Sequence, residues 1–533
     1  MNFENRHLKL FSSSVLVGIC SGLVIISYRI LLKKIEHLRE LFFLNRDFSL
    51  GVSYYFAIPI LILAISYITY FLMNKYPLIA GGGVPVVKGV FSRKFRFNWF
   101  KDVFYKFIVG LLALAAGMSL GIEGPSIQLG AETGAGVSKR LKKPEHESKY
   151  FIACGASAGL AAAFNAPITG VVFVIEELVK HISPLMVTCA LISAVVASWL
   201  SNDIFGLTPF FNFSTLEKFD LSQFYLIAIF CLFVTLLGKL FFLGIIHTGV
   251  LRKKIRMNGF LKILIPITIS FIVSFYFYEI TGGGHHLGEE ILKKSFSAKY
   301  LVLLLLAKGL FTIYSSATGI PGGIFVPMIS LGMIAGKLFG VLIIMILGPE
   351  YNYTDYFILI GMSSFLTAVV KAPLTSTVLA MEIVGSFNHF FPLAAATMFT
   401  MIFSDLLKMQ PIYDVALEQL LHRRKVLNLD QDEHDIERSD LKKLYMTIPV
   451  SIYSYLENRR LSEVRWPPNF IITEIIRGES IIIPSGDSKM FFGDVLTAYT
   501  DIKTAEEFEL ELQKLGEEPH LEETDQNSEI DTI

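Results

Sequence analysis

Apolar residues fill this chain in long runs that are separated by short polar segments. Eight runs approach or reach the length that a helix needs to span a bilayer, and they lie at 52–73, 107–120, 184–200, 224–246, 263–278, 300–314, 338–347 and 391–403. Several are short or contain Gly and Pro, which predicts tilted or broken helices. The pattern predicts an all-α polytopic membrane protein.

Composition agrees with this class and divides the chain. Of the 533 residues, 53% are hydrophobic and only 18% are charged, whereas soluble domains have about 25% charged residues. The segment from Lys425 to Ile533 contains 11 Lys or Arg and 24 Asp or Glu, so the apolar part is basic and the tail acidic. Basic clusters at 88–106 and 139–143 predict loops that face the cytoplasm. We expect an integral protein of a bacterial cell membrane with both termini in the cytoplasm.

Two segments about 200 residues apart share one pattern. Residues 121–130 (GIEGPSIQLG) and 323–332 (GIFVPMISLG) both read Gly-x-x-x-Pro followed by x-Ile-x-Leu-Gly. Gly before a helix and Pro in its first turn are typical of a helix start. Because a helix N-terminus attracts anions, the pair predicts a central anion site, with the Glu123 carboxylate where an anion would bind.

A second match supports two structural halves. Residues 165–169 (NAPIT) and 371–375 (KAPLT) each precede an acid nine residues after the Pro, Glu176 and Glu382. The offset is 206 residues here and 202 for the first pair. We predict repeats at about 10–202 and 221–410, and the sequence leaves open whether they are inverted or parallel.

These motifs, taken in order, resemble those of the CLC family of chloride channels and proton-coupled chloride exchangers, over roughly residues 10–425. The segment 81–85 (GGGVP) resembles the family's Gly-Ser-Gly-Ile-Pro, and 121–125 resembles Gly-Arg-Glu-Gly-Pro. The segment 323–327 matches Gly-x-Phe-x-Pro, and Tyr413 matches the family's anion-coordinating tyrosine.

The resemblance implies inverted repeats and a homodimer with one anion pathway in each subunit. It assigns Glu123 as the gating glutamate, whose ionised carboxylate occupies an anion position until a proton releases it. It assigns Glu177 as the internal proton acceptor. Chloride would be bound by backbone N–H groups and by a phenol, from Gly82, Gly83, Ile324, Phe325 and Tyr413.

The resemblance favours a chloride/proton antiporter, because passive channels of the family usually lack the acid at the position of Glu177. A voltage- or ligand-gated chloride channel of the same fold is the alternative. An exchanger that prefers nitrate or fluoride also stays open, since Gly82 replaces a serine and Ile122 an arginine. The sequence contains no potassium-channel filter, metal-ligand cluster, nucleotide loop or nucleophile elbow, so we expect neither an enzyme, a metal site, nor a nucleic-acid partner.

The tail changes to soluble composition after residue 425. We predict a charged linker at 426–440, short β-strands between Gly and Asp turns at 441–502, and an acidic tail at 503–533. The middle segment resembles the TrkA-C (RCK-C) regulatory domain, which implies a small α+β cytoplasmic module that dimerises. It needs no cofactor but could bind a small molecule or nucleotide as a regulator.

Overall fold

The chain forms two compact units, Met1–Leu421 and His422–Ile533. The computed structural model describes residues 3–44, 51–92, 94–180, 183–206, 210–211, 213, 224–426, 443–451, 454–477 and 480–501. The predicted linker, apart from residue 426, and the predicted acidic tail lie outside these residues.

The described residues between 3 and 426 form α-helices in two sets of eight, followed by α17 (Ile412–Val426), which extends five residues past the end of the first unit. The first set is α1 (Phe3–Leu44), α2 (Gly51–Lys75), α3 (Val84–Phe91), α4 (Trp99–Ala115), α5 (Glu123–Arg140), α6 (Glu145–Phe164), α7 (Pro167–Phe173) and α8 (Pro184–Phe205). The second is α9 (Phe224–Lys254), α10 (Leu261–Tyr276), α11 (His285–Lys293), α12 (Ala298–Ala317), α13 (Phe325–Leu347), α14 (Thr354–Val370), α15 (Pro373–Val384) and α16 (Phe390–Leu406).

Six of these helices are long and apolar enough to cross a membrane: Leu8–Phe43, Ala57–Lys75, Pro184–Phe205, Phe224–Arg252, Ala298–Ala317 and Phe325–Leu347. Four others are apolar but have only 10–17 residues. The prediction of a polytopic membrane fold with short, broken helices is confirmed. The sequence missed α1 as a span, because Arg29, Lys33 and Lys34 interrupt its apolar run. The sequence also placed the fourth helix too far along the chain. The predicted apolar run is 107–120, whereas α4 is Trp99–Ala115.

The two repeats meet head to head at their shared motif. Gly121 and Gly323 form an antiparallel bridge in which each N–H donates to the other's carbonyl, at N–O distances of 2.7 and 2.8 Å. Equivalent residues that pair antiparallel are related by a local two-fold axis. The repeats are therefore inverted, which the sequence motifs left open.

The same two-fold relation appears where α7 contacts α15. Glu176 accepts hydrogen bonds from the backbone N–H groups of Leu374 and Thr375, at 3.1 and 2.8 Å. Glu382 does the same for Ile168 and Thr169, at 2.9 and 2.7 Å. Each acid caps the first turn of the other repeat's helix, which accounts for the matched position of both acids.

A buried lysine holds the Gly-rich loop in each repeat. Lys106 donates to the carbonyls of Ile79 and Gly81, both at 2.8 Å, and Lys308 donates to that of Gly282 at 2.9 Å. Both lysines are fully buried. This corrects the prediction for residues 88–106, whose two end lysines lie inside the protein and not in a cytoplasmic loop.

The second unit contains a four-stranded antiparallel sheet in the order β1 (Lys443–Pro449), β4 (Val495–Asp501), β2 (Ile471–Arg477), β3 (Ser480–Ile482). The sequence indicated β2, β3 and β4 but missed β1. Asp494, directly before β4, accepts two hydrogen bonds from the Arg477 guanidinium, at 2.8 and 2.7 Å. These bonds raise the pKa of Arg477 and join the end of β2 to the residue before β4.

Candidate anion and proton site

The N-termini of α3, α5 and α13 converge at the contact between the repeats. Gly83 caps α3 at φ 88°, a conformation that favours Gly. Its loop packs against the first turn of α5, where a Cβ added at Gly124 would lie 1.9 Å from the carbonyl oxygen of Gly82. Unpaired N–H groups and partial positive charge from several helices therefore act on one small volume.

Glu123 is the carboxylate within this volume. It is the first residue of α5, it is buried, and its Oε1 accepts a hydrogen bond from the N–H of Phe325 at 2.5 Å. Among the described residues, its Oε2 has no hydrogen-bond partner of ordinary geometry. The carboxylate of one repeat thus occupies the helix N-terminus of the other, as an anion would.

Two glycines leave the space for this carboxylate. A Cβ added at Gly121 would lie 2.0 Å from Glu123 Oε2, and one added at Gly323 would lie 2.2 Å from Oε1. At Gly121, the three nearest atoms all belong to the Glu123 carboxyl group. We call the pocket formed by Gly121, Gly323 and the N-terminus of α13 the carboxylate cradle.

The other predicted anion ligands lie around the cradle. Ile324 caps α13 and Phe325 begins it, so both backbone N–H groups belong to its N-terminus. Gly82 leaves room for a side chain, because the nearest atom to an added Cβ is the carbonyl oxygen of Gly322 at 3.6 Å. Tyr413 is buried at the start of α17, and the charge of Glu123 acts on its phenol.

Glu177 is a second buried acid near the start of α17, because Lys88 contacts both Glu177 and Asp414, the residue after Tyr413. It is buried in a π-helical segment, Val174–Val179, that continues α7. The phenol of Tyr413 is within electrostatic reach of both Glu177 and Glu123. Both predicted proton-bearing acids are therefore close enough to act electrostatically on the residue predicted to coordinate the anion.

A cation that the sequence reasoning missed holds Glu177. Lys88, in α3, lies 3.0 Å from Glu177 Oε2 and 2.5 Å from Asp414 Oδ1. Its side chain is 6% exposed. The only sequence signal is a lysine three residues after Pro85, at the start of a basic cluster that predicts a cytoplasmic loop. Asp414 gives no signal beyond its place after Tyr413.

Glu176 and Glu177 are adjacent but differ in their contacts. Glu176 caps α15, whereas Glu177 points to Lys88. Consecutive side chains of a helix lie about 100° apart around its axis, so neighbouring residues contact different helices. This supports Glu177 over Glu176 as the acid that faces the site.

A cavity of about 330 Å³ lies beside the cradle, lined in part by Gly121 and Ile122. Arg29 and Lys33 of α1 line it too, so cations are present although residue 122 is not an arginine. His285 also lines the cavity. Three glycines precede it in the sequence and would predict a loop, but His285 begins α11. Among the described residues, no cluster of His, Cys, Asp and Glu could hold a metal ion.

A phenol on α1 was also missed. Tyr28 is fully buried, and within the described part of the chain its hydroxyl has no hydrogen-bond partner. The charge of Glu123 acts on this phenol. An apolar helix with one tyrosine gives no sequence signal that would have distinguished it from a residue of the core.

Comparisons with known proteins agree with both resemblances. The family model described as voltage gated chloride channel matches residues 61–405, and the TrkA-C domain matches residues 445–513. The H(+)/Cl(-) exchange transporter ClcA of Vibrio cholerae is 31% identical over 431 residues, which cover 78% of this chain and 91% of that protein.

Solved structures share the fold. A slow cyanobacterial Cl-/H+ antiporter superposes with a TM-score of 0.72 at 23% identity, covering 78% of this chain and 99% of that one. A CLC-type fluoride/proton antiporter superposes with a TM-score of 0.62 at 18% identity, covering 76% and 97%. The predicted fold class is confirmed.

Proposed function

We propose, since the chain belongs to the voltage-gated chloride channel family, that it exchanges chloride for protons across a membrane. The observation that carries this proposal is the Glu123 carboxylate in its cradle, hydrogen-bonded to the N–H of Phe325. The similarity to H(+)/Cl(-) exchange transporters supports the same activity. Reconstitution into liposomes, with both ions recorded, tests it.

In this proposal, Glu123 competes with chloride for one position. Its ionised carboxylate accepts the hydrogen bond of Phe325 and blocks the path. A proton on Glu123 removes the negative charge that the helix N-termini stabilise, so the side chain leaves and chloride enters. Chloride is then held by the backbone at Gly82, Gly83, Ile324 and Phe325 and by the phenol of Tyr413.

Glu177 supports exchange over passive conduction. A buried acid inside a membrane protein costs free energy unless it is used, and a channel needs no internal proton acceptor. We propose that protons reach Glu123 from Glu177 along the side of Tyr413, while chloride passes Gly82 and Gly83. The two ions then share the outer part of the path and separate inside the protein.

Gly121→Ala should uncouple the two ions partly. The added Cβ would occupy the cradle, and its three nearest atoms are those of the Glu123 carboxyl. We expect chloride flux to continue, with at least roughly twofold fewer protons moved per chloride. Parallel recording of chloride and pH in liposomes measures this ratio.

Gly309→Ala is the matched control, because the nearest atom to its Cβ is 3.8 Å away. An unchanged ratio in both variants would mean that Glu123 does not need the cradle.

Gly82→Ser should tighten chloride binding. The site has space for the side chain, and a hydrogen bond to a charged group contributes about 1.5–3 kcal/mol, or roughly tenfold or more in affinity. Tyr413→Phe, which removes one hydroxyl, should act in the opposite direction. Calorimetric titration of the purified protein with chloride gives both values; equal affinities in all three proteins would place the anion site elsewhere.

We propose a homodimer with one pathway in each subunit and a regulatory tail. The tail supports regulation because it resembles a TrkA-C domain and carries none of the residues assigned to the pathway. The predicted limits, 1–425, 426–440, 441–502 and 503–533, remain part of this proposal.

Deleting residues 441–533 should leave a folded core that still exchanges both ions. The exchange rate should lose its response to a nucleotide or another small ligand, since a ligand shifts activity only by binding two states differently. Flux assays with and without nucleotides, together with thermal shifts of the full chain, test this. Identical responses in full-length and shortened proteins would indicate a structural tail.

A further inference from the structure

Lys88 contacts two carboxylates with one ammonium group. Its Nζ lies 3.0 Å from Glu177 Oε2 and 2.5 Å from Asp414 Oδ1. The side chains of Lys88 and Glu177 are 6% and 5% exposed, and that of Asp414 is 32% exposed. The buried acid and the half-buried acid therefore compete for the same cation.

Glu177 is one of four charged groups that form a chain of ion pairs. Lys88 approaches it from α3, and Asp414 lies beyond Lys88 on α17. Lys180, at the end of the segment that carries Glu177, lies 3.1 Å from Asp414 Oδ2 and is 56% exposed. The phenol of Tyr413 is within electrostatic reach of Glu177, whereas Glu176 caps α15.

Two carboxylates share the ammonium of Lys88. This matters because a buried charge needs a partner of opposite charge. An acid that is paired alone with a buried lysine would resist a proton, since neutralising it leaves the lysine charge unpaired at a high cost. Lys88 avoids this state because Asp414 remains as its partner. Protonation of Glu177 then breaks one ion pair but leaves no isolated charge.

We propose that Lys88 is a positioning residue for proton transfer, which holds Glu177 and Asp414 on one ammonium and keeps Asp414 when Glu177 takes a proton. The proton goes to a carboxylate oxygen of Glu177, while Lys88 keeps all of its own protons. The inference rests on the proposed proton exchange and deepens it.

The arrangement also connects the proton site to the anion site. Lys88 belongs to α3, which begins after Gly83, and Asp414 follows Tyr413 in the first turn of α17. When Glu177 becomes neutral, Lys88 loses one of its two partners and keeps its contact with Asp414, which still joins α3 to α17. A change of charge at Glu177 thus reaches two groups proposed to hold chloride.

The test is the pH profile of proton flux in liposomes for two opposite variants. Lys88→Met removes the cation beside Glu177, which should then keep its proton to higher pH, and the midpoint should rise by about one pH unit or more, a tenfold change. Asp414→Asn removes the second carboxylate beside Lys88, so the lysine stabilises ionised Glu177 more strongly and the midpoint of the pH profile should fall by a similar amount. The double variant should return near the original midpoint.

Two further variants separate this role from a structural one. Lys88→Arg should restore a profile close to the original, and Lys180→Met should shift it less than Lys88→Met does, because Lys180 is 56% exposed and its ion pair is with Asp414 Oδ2. Loss of rate without opposite shifts in Lys88→Met and Asp414→Asn would overturn the proposal.

The outcome is distinguishable from failure of the proposed function. If the original protein moves no protons, the exchange itself is wrong. If it exchanges both ions and Glu177→Gln stops proton flux, but the Lys88 and Asp414 variants keep the original midpoint, only the role of Lys88 is wrong.

Discussion

Replacing Glu123 with glutamine should abolish proton transport and leave chloride moving passively down its gradient. The amide keeps the size of the side chain but can neither carry a proton nor compete as an anion at the N–H of Phe325. We expect proton flux to fall at least roughly tenfold to background, while chloride flux stays within a few-fold of the original. Simultaneous recording of chloride and external pH in liposomes measures both.

Glu132→Gln is the matched control, because it changes a second buried acid on the same helix. Glu132 accepts a hydrogen bond from Gln128 at 2.7 Å and lies nine residues beyond Glu123. Exchange should persist in this variant. Uphill proton pumping by Glu123→Gln would show that Glu123 is not the gating residue.

Replacing Glu177 with glutamine should also stop proton transport, again at least roughly tenfold, but through the inner end of the path. Glu123 would still open and close for chloride but would receive no protons from inside. Chloride flux should therefore continue at a rate limited by protonation from the outer side. Lowering the external pH should raise this residual flux, which distinguishes the variant from Glu123→Gln.

Glu176→Gln provides the control for this second prediction. It removes the charged cap of α15 without touching the contact between Lys88 and Glu177, so coupling should persist and the protein should lose about 1 kcal/mol of stability. The opposite pattern, with coupling lost in Glu176→Gln and kept in Glu177→Gln, would identify Glu176 and not Glu177 as the internal proton acceptor.

The sequence predicted the features that depend on local backbone chemistry. Gly before Pro marked the starts of α3, α5 and α13, and the offset between the motifs predicted two repeats. These features follow from sterics within a few residues. The same motif identified Glu123, because an acid between Gly and Pro in an apolar segment costs free energy unless it binds or carries an ion.

The contacts between distant segments could not be predicted in this way. The bond from Phe325 to Glu123 joins residues 202 positions apart, and the contact of Lys88 with Asp414 joins α3 to the last helix of the unit. A lysine beside other basic residues looks like part of a cytoplasmic loop until folding brings two acids to it. The helix α1 was missed for a related reason, since its cations Arg29 and Lys33 line a cavity that folding creates.

The central claim is that one carboxylate couples the two ions, and uphill transport tests it most directly. Liposomes that contain the full chain are loaded with chloride and diluted into low chloride at equal pH, with external pH and chloride recorded together. Our account predicts that chloride leaving the liposomes drives protons inward against their growing gradient, and that Glu123→Gln releases chloride with no change of external pH. Chloride release without proton movement by the unmodified protein would contradict the account and identify a passive channel.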